Sequence, residues 1–110
     1  MSVLSEVLKI EEEDFEQLCN IYNDKERYDE EDLVLIVKIT NQLLEMKTYG
    51  NNKNEDLRRI MELLTVNNFV NDLLKETEVD TKLYYYEVRK VLTLLITFII
   101  ELTVKMRNVR

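Results

Sequence analysis

The sequence predicts an all-α protein: an antiparallel bundle of four to five helices built around a long, central, mostly buried C-terminal helix. Three observations carry this. Proline is absent and Gly50 is the only glycine among 110 residues, so the two strongest helix breakers are all but missing. Apolar residues recur at spacings of 3 and 4 through most of the chain. Between Lys90 and Glu101 no residue is charged, so a helix there is apolar or threonine on every face and must be buried on most sides. The length suits one domain, and an apolar share of 45% is enough for one core. Alanine is missing too, so bulky Leu, Ile and Val are expected at the helix contacts.

The first segment, residues 2 to about 23, is expected as helix, with Leu4, Leu8, Phe15, Leu18 and Tyr22 on one face and Glu11 interrupting the stripe. Continuous helix is the first expectation. The alternative is a short helix followed by a longer one, with a bend near Ile10 and Glu11, Glu12, Glu13 and Asp14 in the first turn of the new helix, where carboxylates suit the positive end of the dipole. A polar connection from Asn23 to Tyr28 follows. Asp29 is expected to cap the second helix, with Tyr28 and Leu33 as its hydrophobic staple. That helix is expected to run from Glu30 to Tyr49, burying Leu33, Ile36, Val37, Thr40 and Leu44. Gly50 then supplies the left-handed residue that commonly ends a helix.

Asn54 is the expected cap of the third helix, with Glu55 and Asp56 in its first turn. Leu57, Ile60, Met61 and Leu64 form one stripe. Its phase slips through Thr65-Val66-Asn67-Asn68 and resumes at Phe69, Val70, Leu73 and Leu74. Because Asn side chains compete for backbone hydrogen bonds, a kink or break is expected at the Asn pair. Glu78-Val79-Asp80 makes the last turn, and Asp80 or Thr81 caps the final helix. Its heptad is Tyr85, Val88, Leu92, Leu95, Ile99, Leu102 and Met106, with Tyr84, Val91, Phe98 and Lys105 alongside. A helix from Thr81 to Arg107 would span roughly 40 Å, longer than its neighbours.

Charge divides the chain unevenly. The total is −7, with −9 in residues 1–32, −2 in residues 33–81 and +4 in residues 82–110. Such a balance disfavours nucleic acid and anionic lipid, and no basic stripe tracks a phosphate backbone. The uncharged run is shorter than the ~20 residues of a membrane span. The N-terminus lacks a basic region followed by an apolar run, and Cys19 has no intramolecular partner. A soluble intracellular protein is therefore expected. Abundant Asn, Lys, Ile and Tyr against scarce Gly, Pro and Ala match AT-rich codons, as in a low-GC bacterium, a phage or a virus.

Little chemistry is available. Without histidine there is no Ser–His or Cys–His nucleophile and no His metal ligand. One glycine excludes a Gly-rich phosphate loop, and Cys19 fits a small core residue. No cofactor is expected. Carboxylates remain: Glu13-x-x-Glu16 and Glu26-x-x-Asp29 resemble the paired ExxE and ExxD motifs of MazG-type nucleotide pyrophosphohydrolases. That resemblance spans Glu13 to Asp29 and implies a Mg²⁺ site in an all-α enzyme, although the second pair falls in the expected loop and cap.

Asp14-Phe15-Glu16-Gln17-Leu18 with Ile21 and Asn23, followed by Asp29-Glu30-Glu31-Asp32-Leu33-Val34, resembles helices one and two of the DNase-colicin immunity proteins. Those are small acidic four-helix inhibitors, and the resemblance implies an acidic face for a basic protein. Their Tyr-Tyr-Pro third helix has no counterpart here: Tyr84-Tyr85-Tyr86 lies much later, and proline is absent.

The leading expectation is a non-enzymatic bundle acting through protein–protein contacts, as a homodimer through its last helix. Tyr84, Val91, Leu94, Phe98 and Ile100 are the candidate dimer interface, with Tyr86, Tyr49 and Tyr22 as candidate interface aromatics. Glu11, Glu12, Glu13, Glu16, Glu30 and Glu31 are the candidate acidic partner face. The plain alternative is that these acids are solvated and that Lys105 and Arg107 complement a helix dipole.

Overall fold

In the computed structural model, which describes residues 8–24, 26–76 and 83–108, the chain forms four α-helices and, among those residues, no strand. They are α1 (Glu12–Asp24), α2 (Glu30–Met46), α3 (Lys53–Lys75) and α4 (Tyr85–Asn108). The all-α bundle is as expected. The first seven residues and the expected cap at Asp80 or Thr81 lie outside the described residues.

Continuous helix through Leu8–Glu11 does not form; the chain bends there and a new helix follows, as in the alternative. Leu8 and Ile10 are both fully buried, yet two residues apart on a helix point about 160° from one another. The chain resolves this by passing through a left-handed Lys9 (φ 58°), which turns both side chains inward. The new helix then begins with Glu12, Glu13 and Asp14 in its first turn, and the Glu11 carbonyl accepts from the amides of Asp14 and Phe15 at 3.0 and 3.1 Å.

Helix α2 starts where its cap predicts. Asp29 Oδ1 accepts from the Asp32 amide and Asp32 Oδ2 accepts from the Asp29 amide, each at 3.0 Å. This closes a capping box. Tyr28 and Leu33 are both buried at this entry, as a staple requires. The far end differs from expectation: α2 stops at Met46 and Lys47 takes the left-handed conformation (φ 64°). Tyr49 is the reason. On a continued helix it would point about 120° away from Leu43, whereas unwinding lets it enter the core, where it is fully buried. Its hydroxyl donates to the Leu43 carbonyl at 2.9 Å, and its ring meets Phe98 edge-on at 5.0 Å. Gly50, also left-handed (φ 76°), turns the chain into the next cap.

That cap is Asn52, two residues before the expected Asn54. Its Oδ1 accepts from the Glu55 amide at 2.9 Å. Helix α3 then runs unbroken for 23 residues, without the expected break at Asn67-Asn68. The buried positions are Asp56, Leu63, Val66, Val70 and Leu73, so the phase of the second half governs the whole helix. The Leu57–Met61–Leu64 stripe is left facing solvent. Asn67 does not unwind the backbone because its side chain is occupied: its Nδ2 donates to Asn41 Oδ1 at 3.1 Å, and its Oδ1 accepts from Asn71 Nδ2 at 2.8 Å.

Among the described residues α4 supplies more of the core than any other element: Val88, Val91, Leu92, Leu95, Phe98, Ile99 and Leu102 are buried. Tyr85 and Met106, at the ends of the expected heptad, are half-buried. At 24 residues, α4 is ~36 Å long. Helix α2 packs on α1 and α3, and α4 packs on α1. Long side chains of α3 reach α4 and the turn before it: Arg59 lies over Phe98 of α4 at 5.2 Å, and Phe69 meets Tyr84, just ahead of α4, edge-on at 6.4 Å. No described helix is long and apolar enough to cross a membrane.

Candidate interaction surfaces

A helix in a four-helix bundle has one face to spare, and on α4 the phase of the core decides which. With Val88, Leu92, Leu95, Ile99 and Leu102 inward, the residues opposite are Tyr86, Lys90, Thr93, Thr97, Ile100 and Val104. All six are exposed. They alternate by 4 and 3, the spacing of a heptad seam, with Tyr86, Ile100 and Val104 apolar and Lys90, Thr93 and Thr97 polar. Tyr86 is 72% exposed, Ile100 50% and Val104 51%. Tyr86, Lys90, Thr93 and Thr97 of this seam also form one wall of a shallow cavity of about 600 Å³. Leu94, Thr97, Phe98 and Glu101 of α4 line it, and Arg59 of α3 walls it. Arg59 holds its place through Glu62 at 3.3 Å and Glu101 at 3.4 Å.

The five candidate dimer residues do not form one free face. Val91 and Phe98 are buried in the chain's own core. Tyr84 and Leu94 are half-buried, and only Ile100 is exposed. The free face is displaced around the helix from Val91 and Phe98 toward Tyr86 and Val104, because α3 covers part of the stripe that was expected to need a second chain. Sequence reasoning passed over Thr93, Thr97 and Val104, although the 4-3 spacing from Tyr86 to Val104 was legible.

Of the candidate interface tyrosines only Tyr86 is exposed. Tyr49 is in the core, and Tyr22 lies under the Arg89 guanidinium, 4.1 Å from its ring centre. Arg89 also donates to the Tyr22 carbonyl at 2.9 Å and to the Tyr85 hydroxyl at 3.4 Å. Tyr85 in turn stacks on Tyr28 at 5.3 Å. Burial pushes the Tyr28 phenol up from its usual pKa, an effect the neighbouring Arg89 opposes. The neighbouring Tyr28 phenol in turn raises that of Arg89. This cluster ties α1 and the α1–α2 connection to the start of α4.

The six candidate acidic residues are all exposed, but the fold sets them in two groups. Lys38 of α2 pairs with Asp14 at 2.8 Å, which fixes how α1 lies against α2. Glu30 and Glu31 are then roughly 8 to 16 Å along the axis from Glu11, Glu12, Glu13 and Glu16. Glu13 and Glu16 lie on α1, Glu26 lies in the following loop, and Asp29 is engaged in the capping box. No three His, Cys, Asp or Glu side chains among the described residues gather in a way that could hold a metal ion. Cys19 is half-buried, and burial raises its thiol pKa, which disfavours the reactive thiolate.

A second apolar stripe, Leu57, Met61 and Leu64, is exposed on α3. No protein-family model matches the chain, and comparison with curated proteins and with solved structures returned no match either.

Proposed function

We propose that this protein acts by binding protein chains and not by catalysis, and that it self-associates through the outer face of α4. The observation that carries this is a core-forming helix whose outer face still exposes Tyr86, Ile100 and Val104 in a heptad pattern. A symmetric partner presenting the same face is the usual solution for such a surface. Size-exclusion chromatography with light scattering at micromolar concentration is the test. A mass of twice 13.3 kDa is expected. The surface substitution Ile100→Glu should return it to the single-chain mass with helicity unchanged by circular dichroism. A wild-type chain that stays at 13.3 kDa overturns the self-association.

A second reading has its own support in the exposed Glu11, Glu12, Glu13 and Glu16 at the start of α1. On this reading the protein is an acidic inhibitor, of the immunity or anti-defence kind, that docks a basic protein by charge complementarity. Reversing those four charges should preserve the fold and abolish capture of the basic partner. Capture that survives the reversal argues against this reading.

A further inference from the structure

We propose that two copies meet on the outer face of α4 with their helices antiparallel, about a two-fold axis near Ile96. This rests on the self-association proposed above and adds the geometry of the partner. Charge along one flank of the exposed seam points to it. Reading toward the C-terminus, that flank presents Glu87, Lys90, the half-buried Leu94, Glu101 and Lys105. Lys90 lies six residues before Ile96 and Glu101 five after; Glu87 and Lys105 each lie nine away.

The signs therefore reverse about Ile96. Turning a second copy end for end sets Lys90 beside Glu101 and Glu87 beside Lys105, each twice over. It also sets the Leu94 side chains near one another, Thr93 opposite Thr97, and Tyr86 opposite Val104. A parallel pair would instead set the two Lys90 side chains, which lie on the seam, against one another, where like charges repel, and would leave Glu101 facing the other flank of its partner, away from Lys90.

Contacts within the chain are compatible with this. Glu101 already accepts from Arg59, and a carboxylate has capacity for a second donor. Lys105 donates one of its three protons to Asn51. Arg89 lies on the other flank, held by Tyr22, and does not disturb the pattern. From Tyr86 to Val104 the seam is about 27 Å long, and the cavity walled by Arg59 leaves room beside it for the flank of an incoming helix.

Disulfide trapping tests the arrangement. In a Cys19→Ser background, Thr93→Cys and Thr97→Cys are each made singly, one uniformly labelled with ¹⁵N, and the two are mixed and oxidised. Both positions are exposed, and circular dichroism confirms that the variants fold. The antiparallel pair is expected to yield chiefly the mixed-mass species, in which the Thr93→Cys chain is joined to the Thr97→Cys chain. Positions so paired bring their Cα atoms within disulfide range. Two unmixed species, each variant joined to itself, overturn the antiparallel geometry while leaving a dimer.

Light scattering on the unmodified chain separates the two failures, since a single-chain mass removes the dimer itself. Charge exchange gives an independent reading. Lys90→Glu alone should weaken dimerisation about tenfold, ~1.4 kcal/mol, and Lys90→Glu with Glu101→Lys should restore it. A double variant as weak as the single one overturns the pairing.

Discussion

Tyr49 shows how one side chain redraws an element boundary. Its ring belongs between α2 and α4, and the backbone gives up its last helical residues, through a left-handed Lys47, to deliver it there. Replacing Tyr49 by Phe keeps the edge-on contact with Phe98 but leaves the Leu43 carbonyl without its donor. The expected loss is about 1 kcal/mol in urea denaturation. Tyr49→Ala should cost about 3–5 kcal/mol, because it also opens a cavity. Periodicity alone could not have placed this residue, since helical spacing from Leu43 puts it on the outside. Leu8 and Ile10 teach the same lesson at the other end of the bundle: both are apolar, but no single helical face holds both, and only the positive φ of Lys9 reconciles them.

At the scale of elements, caps were legible where the side chain had one outlet and misread where two Asn residues competed. Asp29 was unambiguous because Asp32 stands three residues later to complete the box. Asn52 and Asn54 both precede Glu55, and only the bond from the Glu55 amide to Asn52 Oδ1 distinguishes them. Asn52→Ala is therefore expected to lower stability by about 1 kcal/mol, and Asn54→Ala by much less. The comparison is made by thermal or urea unfolding of the two variants side by side. Helix α3 also shows that a slip in hydrophobic phase does not require a kink. Breaking the helix would forfeit backbone hydrogen bonds, whereas leaving Leu57, Met61 and Leu64 between 45% and 68% exposed forfeits only part of their burial.

For the molecule as a whole, the perturbed groups share one direction. Burial raises the pKa of Tyr28 and of Tyr49, and the Asp14 carboxylate raises that of Lys38. Each of these groups holds its proton more tightly folded than unfolded. Their contribution is complete below the unfolded values, near 10, and is lost as pH rises through the higher folded values. Stability should therefore fall on the alkaline side, with the urea midpoint dropping as pH rises past about 10. The drop should be smaller in the Tyr28→Phe variant, which removes one of the resisting phenols. A midpoint that stays flat above about pH 10 would contradict the burial of Tyr28 and Tyr49.

The amino-acid sequence by itself determined that this chain is helical, where α2 begins, and that the last helix is the principal core element. Those properties depend on local terms: missing breakers, a capping box, and an apolar stripe too broad for one exposed side. Only the tertiary structure decided which face of α4 remains free, that the Leu57–Met61–Leu64 stripe faces water, and that the acidic residues form two groups. These depend on how helices rotate against one another. That rotation is set by competition among all the apolar faces for a limited interior, and no single segment of sequence contains it.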